Sequence, residues 1–309
     1  MKIAITGANG YIGSALALYL LKQDVEVIAI SRTFNTGVKN ALKNAEFINA
    51  DVLSKEFLNL NLACDAMIHL ASANDIMSKD FDQGVNLSLF GTKFALELCK
   101  KNNIRNFLFF STAQVLGTEL KGVYEDNAIE SIESYYGYNH YIAEEYIKLF
   151  SKTNLIKCIV IRPANIYGAM VDKLIDRWSL VPNCFCKEGV EKGTITLMSS
   201  GKQQRNFLSL ENICKGTFEL LNVLRHENFY IANLASNHCI DIITMARFTK
   251  EVFKTVFSKD IEIIVKSDEP KISNTFKIIS NALNQNNFQL NESEEQIKKE
   301  IIKIIQLIS

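Results

Sequence analysis

The chain has 309 residues, 48% hydrophobic and 22% charged, which is an ordinary globular composition able to bury a sizeable core. Lys and Arg together number 34, as do Asp and Glu, so the formal net charge is zero. Nothing in this balance indicates a nucleic-acid partner or an acidic binding arm. The seven cysteines are scattered, and the one close pair, Cys184 and Cys186, has no second pair at zinc-ligand spacing. We therefore expect reduced buried thiols and no metal site.

The beginning of the chain and its hydropathy bear on where the protein works. The chain starts directly on an apolar strand, and no apolar run reaches membrane-spanning length. We therefore expect a soluble cytoplasmic protein with no membrane partner.

The first half of the chain alternates short apolar runs with helical patterns. Strands are predicted over residues 3–6, 25–31, 66–70, 106–111 and 156–161, and helices over 11–22, 81–101 and 136–151. Continuous apolar strands indicate burial on both faces, as in a parallel sheet. The alternation therefore predicts an α/β fold with a Rossmann-type doubly wound parallel sheet over residues 1–168.

After residue 168 the rhythm becomes less regular. Helices are predicted over residues 172–181, 211–224, 243–258 and 293–308, and strands over 194–198, 207–210 and 261–265. This change predicts that residues 169–309 form mostly a smaller α/β substrate lobe, with some segments returning to the first domain.

The first strand and helix are joined by a turn with glycine at every third position, Gly7, Gly10 and Gly13. Gly7 permits a tight turn, Gly10 lets the backbone approach a pyrophosphate, and Gly13 allows close helix–strand packing. The helix N-terminus then offers free N–H groups to the phosphates. At the first strand–helix junction of an alternating chain, this spacing predicts a dinucleotide site.

The end of the second strand bears on the choice of dinucleotide. An acidic residue here would bind the adenosine ribose of NAD, but the strand ends on Ser31 and Arg32. Arg32 could face the 2′-phosphate of NADP, with Ser31 as a further donor, or it could be a solvated arginine. We favour NADP, with NAD as the alternative.

Six motifs occur in one order, and the sequence resembles the extended short-chain dehydrogenase/reductases, often called the NAD-dependent epimerase/dehydratase family. The motifs are the glycine turn, Asp51-Val52, His69-Leu70-Ala71-Ser72, Ser111-Thr112-Ala113-Gln114-Val115-Leu116-Gly117, Tyr136-Gly137-Tyr138-Asn139-His140 and Arg162-Pro163-Ala164-Asn165-Ile166-Tyr167-Gly168. A further segment, Gly201-x-x-x-Arg205-Asn206-Phe207-Leu208, looks like the one whose arginine binds the diphosphate of a nucleotide sugar.

The resemblance implies a nucleotide sugar held between a Rossmann domain and a small lobe. It implies Thr112 as the hydroxyl that binds the reacting oxygen, Tyr136 as the catalytic acid/base, and Asn165 and Arg205 as substrate contacts. The cofactor contacts that it implies, besides the glycines, are Tyr11, Ile12, Asp51, Val52, Leu70, Ala71, Ser72, Ser111, Tyr136, His140 and Pro163. Family members are commonly homodimers, which here would use helices 81–101 and 136–151.

The chain departs from the family pattern Tyr-x-x-x-Lys, because His140 stands at the lysine position. The family lysine holds the nicotinamide ribose, and its charge lowers the pKa of the tyrosine. A histidine with a pKa of about 6.5 is largely neutral there, whereas a tyrosine with a pKa of about 10 stays protonated. Reduction of a ketone needs protonated tyrosine, so the replacement is better tolerated in a reductase than in an enzyme that begins by oxidation.

A second departure concerns dehydration. Family 4,6-dehydratases carry Asp-Glu directly after the catalytic threonine, whereas this chain has Ala113 and Gln114. We therefore interpret the chain as an NADP(H)-dependent reductase of a nucleotide-activated 4-keto sugar, such as a 4-keto-6-deoxy sugar. The alternatives are a nucleotide-sugar 4-epimerase with tightly bound NAD and a non-catalytic dinucleotide-binding protein.

Overall fold

A computed structural model describes residues 1–223, 228–267 and 274–308. Its strands are β1 (Lys2–Thr6), β2 (Glu26–Ser31), β3 (Glu46–Asn49), β4 (Ala66–His69), β5 (Asn106–Phe110), β6 (Gly122–Tyr124), β7 (Lys157–Pro163), β8 (Asn165–Tyr167), β9 (Thr194–Leu197), β10 (Gln204–Arg205), β11 (Phe207–Ser209), β12 (Phe229–Leu234), β13 (Ile240–Asp241), β14 (Glu262–Val265) and β15 (Phe276–Ile278).

The α-helices are α1 (Tyr11–Leu21), α2 (Thr36–Ala41), α3 (Lys55–Leu58), α4 (Phe81–Val85), α5 (Gly91–Lys101), α6 (Tyr135–Thr153), α7 (Val181–Lys192), α8 (Leu210–Val223), α9 (Ile242–Val256), α10 (Asn281–Gln285) and α11 (Glu294–Ile308). A π-helical segment, Asn86–Phe90, connects α4 to α5, and short 3₁₀ turns cover Met77–Lys79 and Ala113–Leu116.

Seven strands form one parallel sheet in the order β12-β7-β5-β4-β1-β2-β3. Ile3 of β1 lies opposite Val27 of β2 on one side and opposite Ala66 of β4 on the other. The strand order therefore reverses beside β1, and in doubly wound sheets ligands bind outside the carboxyl ends of the strands at this point. The predicted α/β fold with a Rossmann-type sheet is confirmed.

Both faces of the large sheet are buried under helices. Ile3 and Ile5 belong to a core on the face covered by α1 and α8, where Leu16 also packs. Ala4, between them in β1, belongs to the core on the opposite face with Ile147 of α6. Alternate residues of one strand thus enter opposite cores, which explains why the strands are continuously apolar.

The C-terminal part forms a third core and also contributes to the large sheet. Helices α7, α9 and α11 pack together around Phe185, Met245 and Ile301. In contrast, β12 pairs with β7 at the edge of the large sheet, and α8 packs on α1. After residue 168 the chain therefore passes more than once between this third core and the cores on the large sheet.

Glu292 joins segments that are distant in the sequence. Its side chain is 1% exposed and accepts hydrogen bonds from the Ser209 amide (2.6 Å), the Tyr167 hydroxyl (2.7 Å) and the Asn212 side chain (2.7 Å). Each of these donors satisfies a buried carboxylate oxygen, so the burial of the carboxylate is compensated. This contact fixes β8 and β11 against the segment that precedes α11.

The predicted helix over residues 172–181 is wrong, because residues 171–180 form turns and α7 begins at Val181. Pro182 lies in the first turn of α7, where its missing N–H is tolerated and where it disfavours helix before it. Strands β3 and β12 were not predicted. The last residue of the helix predicted over 211–224 lies outside the described residues.

Three further observations concern the described part of the chain. None of the helices there has both the length and the apolar character needed to cross a membrane. All seven cysteines have free thiols. The described residues contain no group of His, Cys, Asp and Glu side chains able to hold a metal ion.

Candidate active site

The glycine turn brings the N-terminus of α1 to the carboxyl end of β1. Gly7 has φ +70, and a Cβ on it would lie 3.0 Å from the backbone of Leu70 and Ala71. A Cβ on Gly13 would lie 2.2 Å from the Gly7 carbonyl oxygen, so only glycine allows α1 to approach the turn so closely. Gly10 caps α1 without a side-chain hydrogen bond, which leaves first-turn amides available to a phosphate.

Tyr11 and Ile12 follow the turn, and their side chains pack inside the protein. The Tyr11 hydroxyl donates to the Gly168 carbonyl at 3.0 Å, and Ile12 packs against the core. The residues could therefore contact a cofactor through their backbone amides. The Tyr11 side chain instead ties α1 to the segment that follows β8.

The carboxyl ends of β2 and β3 lie at the same edge of the sheet as the glycine turn, and together they border the candidate site. Ser31 is half-buried and pairs with Asn49, and the exposed Arg32 side chain makes no hydrogen bond or ion pair with any described residue. Asp51 accepts a hydrogen bond from the Leu53 amide at 2.9 Å, and Val52 is buried. The structure thus brings Ser31, Arg32 and Asp51 to one edge of the sheet, with a guanidinium available for an anion.

Residues 70–72 form a turn after β4, beside β1, where the strand order of the sheet reverses. The Thr6 hydroxyl accepts from the amides of Leu70 (3.2 Å) and Ala71 (3.4 Å), and the Ser72 hydroxyl donates to Ser88 at 2.9 Å. These contacts hold the turn close to Gly7. The predicted cofactor residues that follow β1 and those that follow β4 therefore lie together.

His69 belongs to the support of this turn. Its Nδ1 lies 2.7 Å from the Thr6 hydroxyl, and its ring stacks near Phe107 and Phe109. Complete burial lowers the His69 pKa to about 3, so the ring is neutral. A neutral histidine enclosed by aromatic rings has a structural role.

Tyr136 and Thr112 meet where α6 packs on the 3₁₀ turn after β5. The Ser134 hydroxyl caps α6 by accepting from the Gly137 amide at 3.0 Å. A Cβ on Gly137 would lie 2.9 Å from the Gln114 carbonyl oxygen, so glycine permits this close packing. Burial raises the pKa of Tyr136, while the Thr112 side chain opposes this shift.

His140 lies one helical turn beyond Tyr136 and is 3% exposed. Its ring centroid is 4.7 Å from that of Tyr136 and 5.8 Å from that of Phe109. Burial lowers the His140 pKa to about 4, although the backbone of Ala73 lies close enough to oppose the shift. Neither ring nitrogen makes a hydrogen bond with the described residues. The site therefore holds a buried neutral imidazole with unused hydrogen-bonding capacity.

Ser111 takes part in a buried ionic cluster that the sequence reasoning missed. Its hydroxyl donates to Glu144, which also pairs with the fully buried Arg162 at 2.5 Å. Arg162 contacts Glu130 at 2.5 Å as well. Burial raises the pKa of Glu144, while Arg162 opposes this shift. Tyr136, His140 and Glu144 follow one another at intervals of four, a spacing that could have revealed the helix face.

The two predicted substrate residues lie on two short strands, β8, which pairs with β11, and β10, which pairs with β13. Asn165 is exposed on β8 and donates its side-chain amide to the Asn206 carbonyl at 3.1 Å. Arg205, the preceding residue, is half-buried on β10, and its guanidinium donates to the Gln204 carbonyl. Pro163, at the end of β7, is buried and paired with Leu234. The structure therefore brings Asn165 and Arg205 together.

Arg177 is a further charged residue that the sequence reasoning missed. It lies in the segment of turns between β8 and α7 and is half-buried. Its positive charge opposes the rise in the pKa of both Tyr136 and Tyr11. Because residues 172–181 had been interpreted as a helix, the loop and its arginine were not connected with the cleft.

The residues present fit a dinucleotide. The α1 N-terminus, which has no side-chain cap, suits a pyrophosphate. The buried His140 nitrogens, which lack partners in the described part of the chain, suit a polar group of the nicotinamide half. Arg32, whose side chain has no partner among the residues the structure describes, adds a cation at the adenosine end of such a ligand. The arrangement also places a phenol and a hydroxyl, Tyr136 and Thr112, side by side for proton transfer.

Comparison with known proteins agrees with this geometry. A model of the NAD dependent epimerase/dehydratase family matches residues 3–234. An uncharacterized UDP-glucose epimerase of Bacillus subtilis is 28% identical over 236 residues, covering 72% of this chain and 72% of that protein.

Two solved structures have the same fold. The UDP-glucose 4-epimerase of Thermotoga maritima with UDP-glucose superposes with a TM-score of 0.85 at 19% identity, covering 100% of both chains. The UDP-glucuronic acid 4-epimerase of Bacillus cereus with UDP-glucuronic acid and NAD gives a TM-score of 0.81 at 24% identity, covering 99% of this chain and 100% of that one.

Proposed function

The chain belongs to the NAD-dependent epimerase/dehydratase family, and from that premise we propose that it is an NADP(H)-dependent reductase of a nucleotide-activated 4-keto sugar, of the 4-keto-6-deoxy type. The observation that carries the proposal is the neutral state of the Tyr136 and His140 pair. Burial raises the pKa of Tyr136 and lowers that of His140 to about 4. The phenol therefore stays protonated at neutral pH, as an acid that protonates a carbonyl oxygen must be.

The substrate class is supported by the relatives and by the second group of residues. The similar proteins are named for UDP-sugars, so a nucleotide sugar is the substrate class we propose. Arg205 and Asn165 would contact its nucleotide diphosphate, because a guanidinium and an amide suit phosphate oxygens. In this proposal the sugar lies between the Rossmann domain, residues 1–168, and the lobe of residues 169–309.

The proposed cofactor is held by the glycine turn, the 70–72 turn and the ends of β2 and β3. When bound, the nicotinamide supplies the hydride that adds to the keto carbon. Arg32 would pair with the 2′-phosphate of NADP, since no acidic residue ends β2. His140 would donate to or accept from the nicotinamide ribose with a ring nitrogen that no described residue binds.

The chain's own part in the step is proton transfer and orientation. Thr112 would hold the carbonyl oxygen with its hydroxyl beside the phenol. Tyr136 would donate its O–H proton to that oxygen as the carbon receives the hydride, so that the C=O group becomes CH–OH. The resulting phenolate would take a proton from water before the next turnover.

A 4-epimerase with tightly bound NAD is the second candidate. The names of the similar proteins favour it, since the relative and both solved structures are described as epimerases. Such an enzyme begins by oxidising the sugar, for which Tyr136 must first be a phenolate. A pKa raised by burial disfavours that starting state, which is why we place the reductase first.

The test follows NADPH absorbance while purified protein meets nucleotide-linked 4-keto-6-deoxy sugars, with NADH in parallel. We expect stoichiometric loss of NADPH with one of these sugars and none with Tyr136→Phe. Interconversion of nucleotide sugars without net loss of NADPH would establish the epimerase. Tight dinucleotide binding with neither activity would indicate a non-catalytic binding protein.

We also propose that the protein is a homodimer through α4, α5 and α6. Exposed apolar side chains on α4, on the π-helical segment that joins it to α5, and on α6 support this, with Phe81 55%, Phe90 42% and Leu149 62% exposed. Burying them against a second copy would remove apolar surface from water. Sedimentation analysis should give a dimer that Leu149→Glu weakens, and a monomer for the unaltered chain would contradict the proposal.

A further inference from the structure

Ser88 lies in the π-helical segment between α4 and α5, and its side chain reaches the turn that follows β4. The side chain is completely buried, and its hydroxyl oxygen accepts hydrogen bonds from the Ser72 hydroxyl at 2.9 Å and from the Ala73 amide at 3.2 Å. Single π-helical turns within α-helices are frequent at functional sites. One buried side chain thus holds two consecutive residues at the end of the 70–72 turn.

The start of α5 packs against the same turn. A Cβ on Gly91 would lie 3.3 Å from the Val52 side chain and 3.7 Å from the Ala71 carbonyl oxygen, so α5 begins directly against two of the predicted cofactor residues. The Thr92 hydroxyl donates to the Ser88 carbonyl at 2.6 Å, which fixes the π-helical segment to the first turn of α5. The backbone that presents Ser88 to the 70–72 turn is therefore itself held in place.

The four backbone amides of residues 70–73 all have partners inside the protein. The first two donate to the Thr6 hydroxyl oxygen, the third donates to the Leu70 carbonyl at 3.0 Å, and the fourth donates to Ser88. A phosphate needs free donors, and the first turn of α1 keeps its amides available for that role. Residues 70–73 offer a ligand oxygen acceptors instead, which suit a ribose hydroxyl as the donor.

The place of β4 in the sheet assigns the 70–72 turn to one half of the ligand. β4 lies between β1 and β5, on the side of Thr112 and Tyr136, whereas Arg32 follows β2 on the other side of β1. A dinucleotide in a doubly wound sheet crosses the point where the strand order reverses, with one half on each side. Because the adenosine end is placed at Arg32, the 70–72 turn faces the nicotinamide half and its ribose.

We propose that Ser88 is a positioning residue for the cofactor, which holds the 70–72 turn so that its oxygen acceptors meet the nicotinamide ribose. Ser88 acts through Ser72 and Ala73 and touches neither cofactor nor substrate. The inference rests on the proposed function only in that a nicotinamide dinucleotide occupies the cleft. It depends neither on the choice between NADP and NAD nor on which sugar is reduced.

The direct test compares the binding of whole and half ligands to Ser88→Ala. Binding of NADPH, with NADH in parallel, is followed by the fluorescence of the reduced nicotinamide, and binding of ADP, which lacks the nicotinamide half, by calorimetry. We expect Kd for both reduced dinucleotides to rise about tenfold while Kd for ADP stays the same, because only the 70–72 turn is displaced. An unchanged Kd for the dinucleotides, or equal weakening of all three ligands, would overturn the proposal.

Two further variants separate the hydroxyl from the helix that carries it. Ser88→Cys nearly keeps the size of the side chain but replaces a good acceptor by a weak one, so it should behave as Ser88→Ala does, even if the alanine variant folds poorly. The matched control is Thr92→Val, which removes a buried hydroxyl one turn further along and leaves that of Ser88 in place. We expect it to bind NADPH as the unaltered protein does, and a loss equal to that of Ser88→Ala would contradict the proposal.

Amide hydrogen exchange in the ligand-free protein tests the contact by itself. Because the Ala73 amide donates to Ser88, its exchange should become about tenfold faster in Ser88→Ala, while the amides of β1 keep their protection. Unaltered exchange at Ala73 would show that the hydroxyl does not hold the turn and would refute the proposal. Failure of the proposed function is distinct from this result, since it would appear as no binding of either reduced dinucleotide by the unaltered protein.

Discussion

At Tyr136 the environment, more than the residue type, determines the chemistry. Burial raises its pKa, while Thr112 and Arg177 oppose this shift, so the protonation of the phenol depends on its surroundings. The motif predicted that Tyr136 and His140 share a face of one helix, and their rings lie 4.7 Å apart. The sequence could not give the burial of His140, which depends on Phe109 of a neighbouring strand.

Replacing His140 by Lys should restore a cation beside Tyr136 and lower its pKa. Because reduction needs the protonated phenol, the alkaline decline of kcat should move to lower pH by about one unit. The measurement is the pH profile of kcat in single turnovers. An unchanged profile would contradict the charge argument, and His140→Gln serves as the neutral control.

Replacing Arg32 by Asp should change the choice of cofactor. Loss of charge-assisted hydrogen bonds to the 2′-phosphate should raise KM for NADPH by about 100-fold, while NADH is used better because Asp can bind the ribose hydroxyls. Steady-state kinetics with each cofactor measures the effect. Arg247→Asp on the exposed surface of α9 is the control, and an unchanged NADPH preference in Arg32→Asp would show that Arg32 is only solvated.

At the scale of elements, the active site depends on how α6 meets the turn after β5. Gly137 lets α6 approach the Gln114 carbonyl, and this brings Tyr136 to Thr112. Residues four apart along α6 then serve two purposes, with Tyr136 and His140 in the candidate site and Glu144 in the ionic cluster with Arg162. One face of α6 therefore connects the candidate catalytic side chains to the ionic cluster buried beside the sheet.

Gly137→Ala should separate α6 from this turn, because the added Cβ would lie 2.9 Å from the Gln114 carbonyl oxygen. We expect kcat to fall by at least about tenfold through misplacement of Tyr136. The free energy of unfolding should fall by about 1 kcal/mol through overpacking. Glu145→Ala, at an exposed position of the same helix, should change neither quantity, and full kcat in Gly137→Ala would contradict the account.

The elements that the sequence predicted well are those with a strong local signal. The apolar strands β1, β2, β4, β5 and β7 were found within a few residues because their continuous runs are buried on both faces. The segment 172–181 was mistaken for a helix, yet residues 171–180 form turns, and Leu174 within them is 72% exposed. The position of Arg177 could not be predicted, since it follows from the contacts of Asn183 with distant residues.

At the scale of the whole molecule, buried polar groups connect segments of the first 168 residues to one another and to segments of residues 169–309. Glu292 binds Tyr167 and Ser209, and Tyr11 binds Gly168, so the cleft is bounded by segments that are held to one another. Such links are made between residues more than 80 positions apart, and no local pattern reveals them. Folding and the geometry of the cleft are therefore coupled.

The stability of the protein should fall in mild acid because His69 and His140 are buried in the neutral form. Their folded pKa values, about 3 and about 4, lie below the unfolded value of about 6.5. Below pH about 6.5 the unfolded chain binds protons that the folded chain does not. Each histidine should therefore lower the free energy of unfolding by up to about 1.4 kcal/mol per pH unit.

Urea unfolding between pH about 7 and about 5 measures this loss. His69→Gln should remove about half of the decline attributed to the two histidines, whereas His238→Gln, at an exposed position, should leave the decline as it is. A free energy of unfolding that stays level over this range would show that the two rings are not held neutral.

The central claim is that the protein reduces a sugar with an exchangeable cofactor, and isotope transfer tests it most directly. Protein is supplied with NADPH that carries deuterium at nicotinamide C4 and with a nucleotide-linked 4-keto-6-deoxy sugar, and the product is analysed by mass spectrometry. We predict one deuterium at C4 of each product molecule, with one NADP⁺ formed for each. A keto sugar recovered unreduced, with no NADP⁺ formed, from protein that does interconvert UDP-glucose and its C4 epimer would contradict the account.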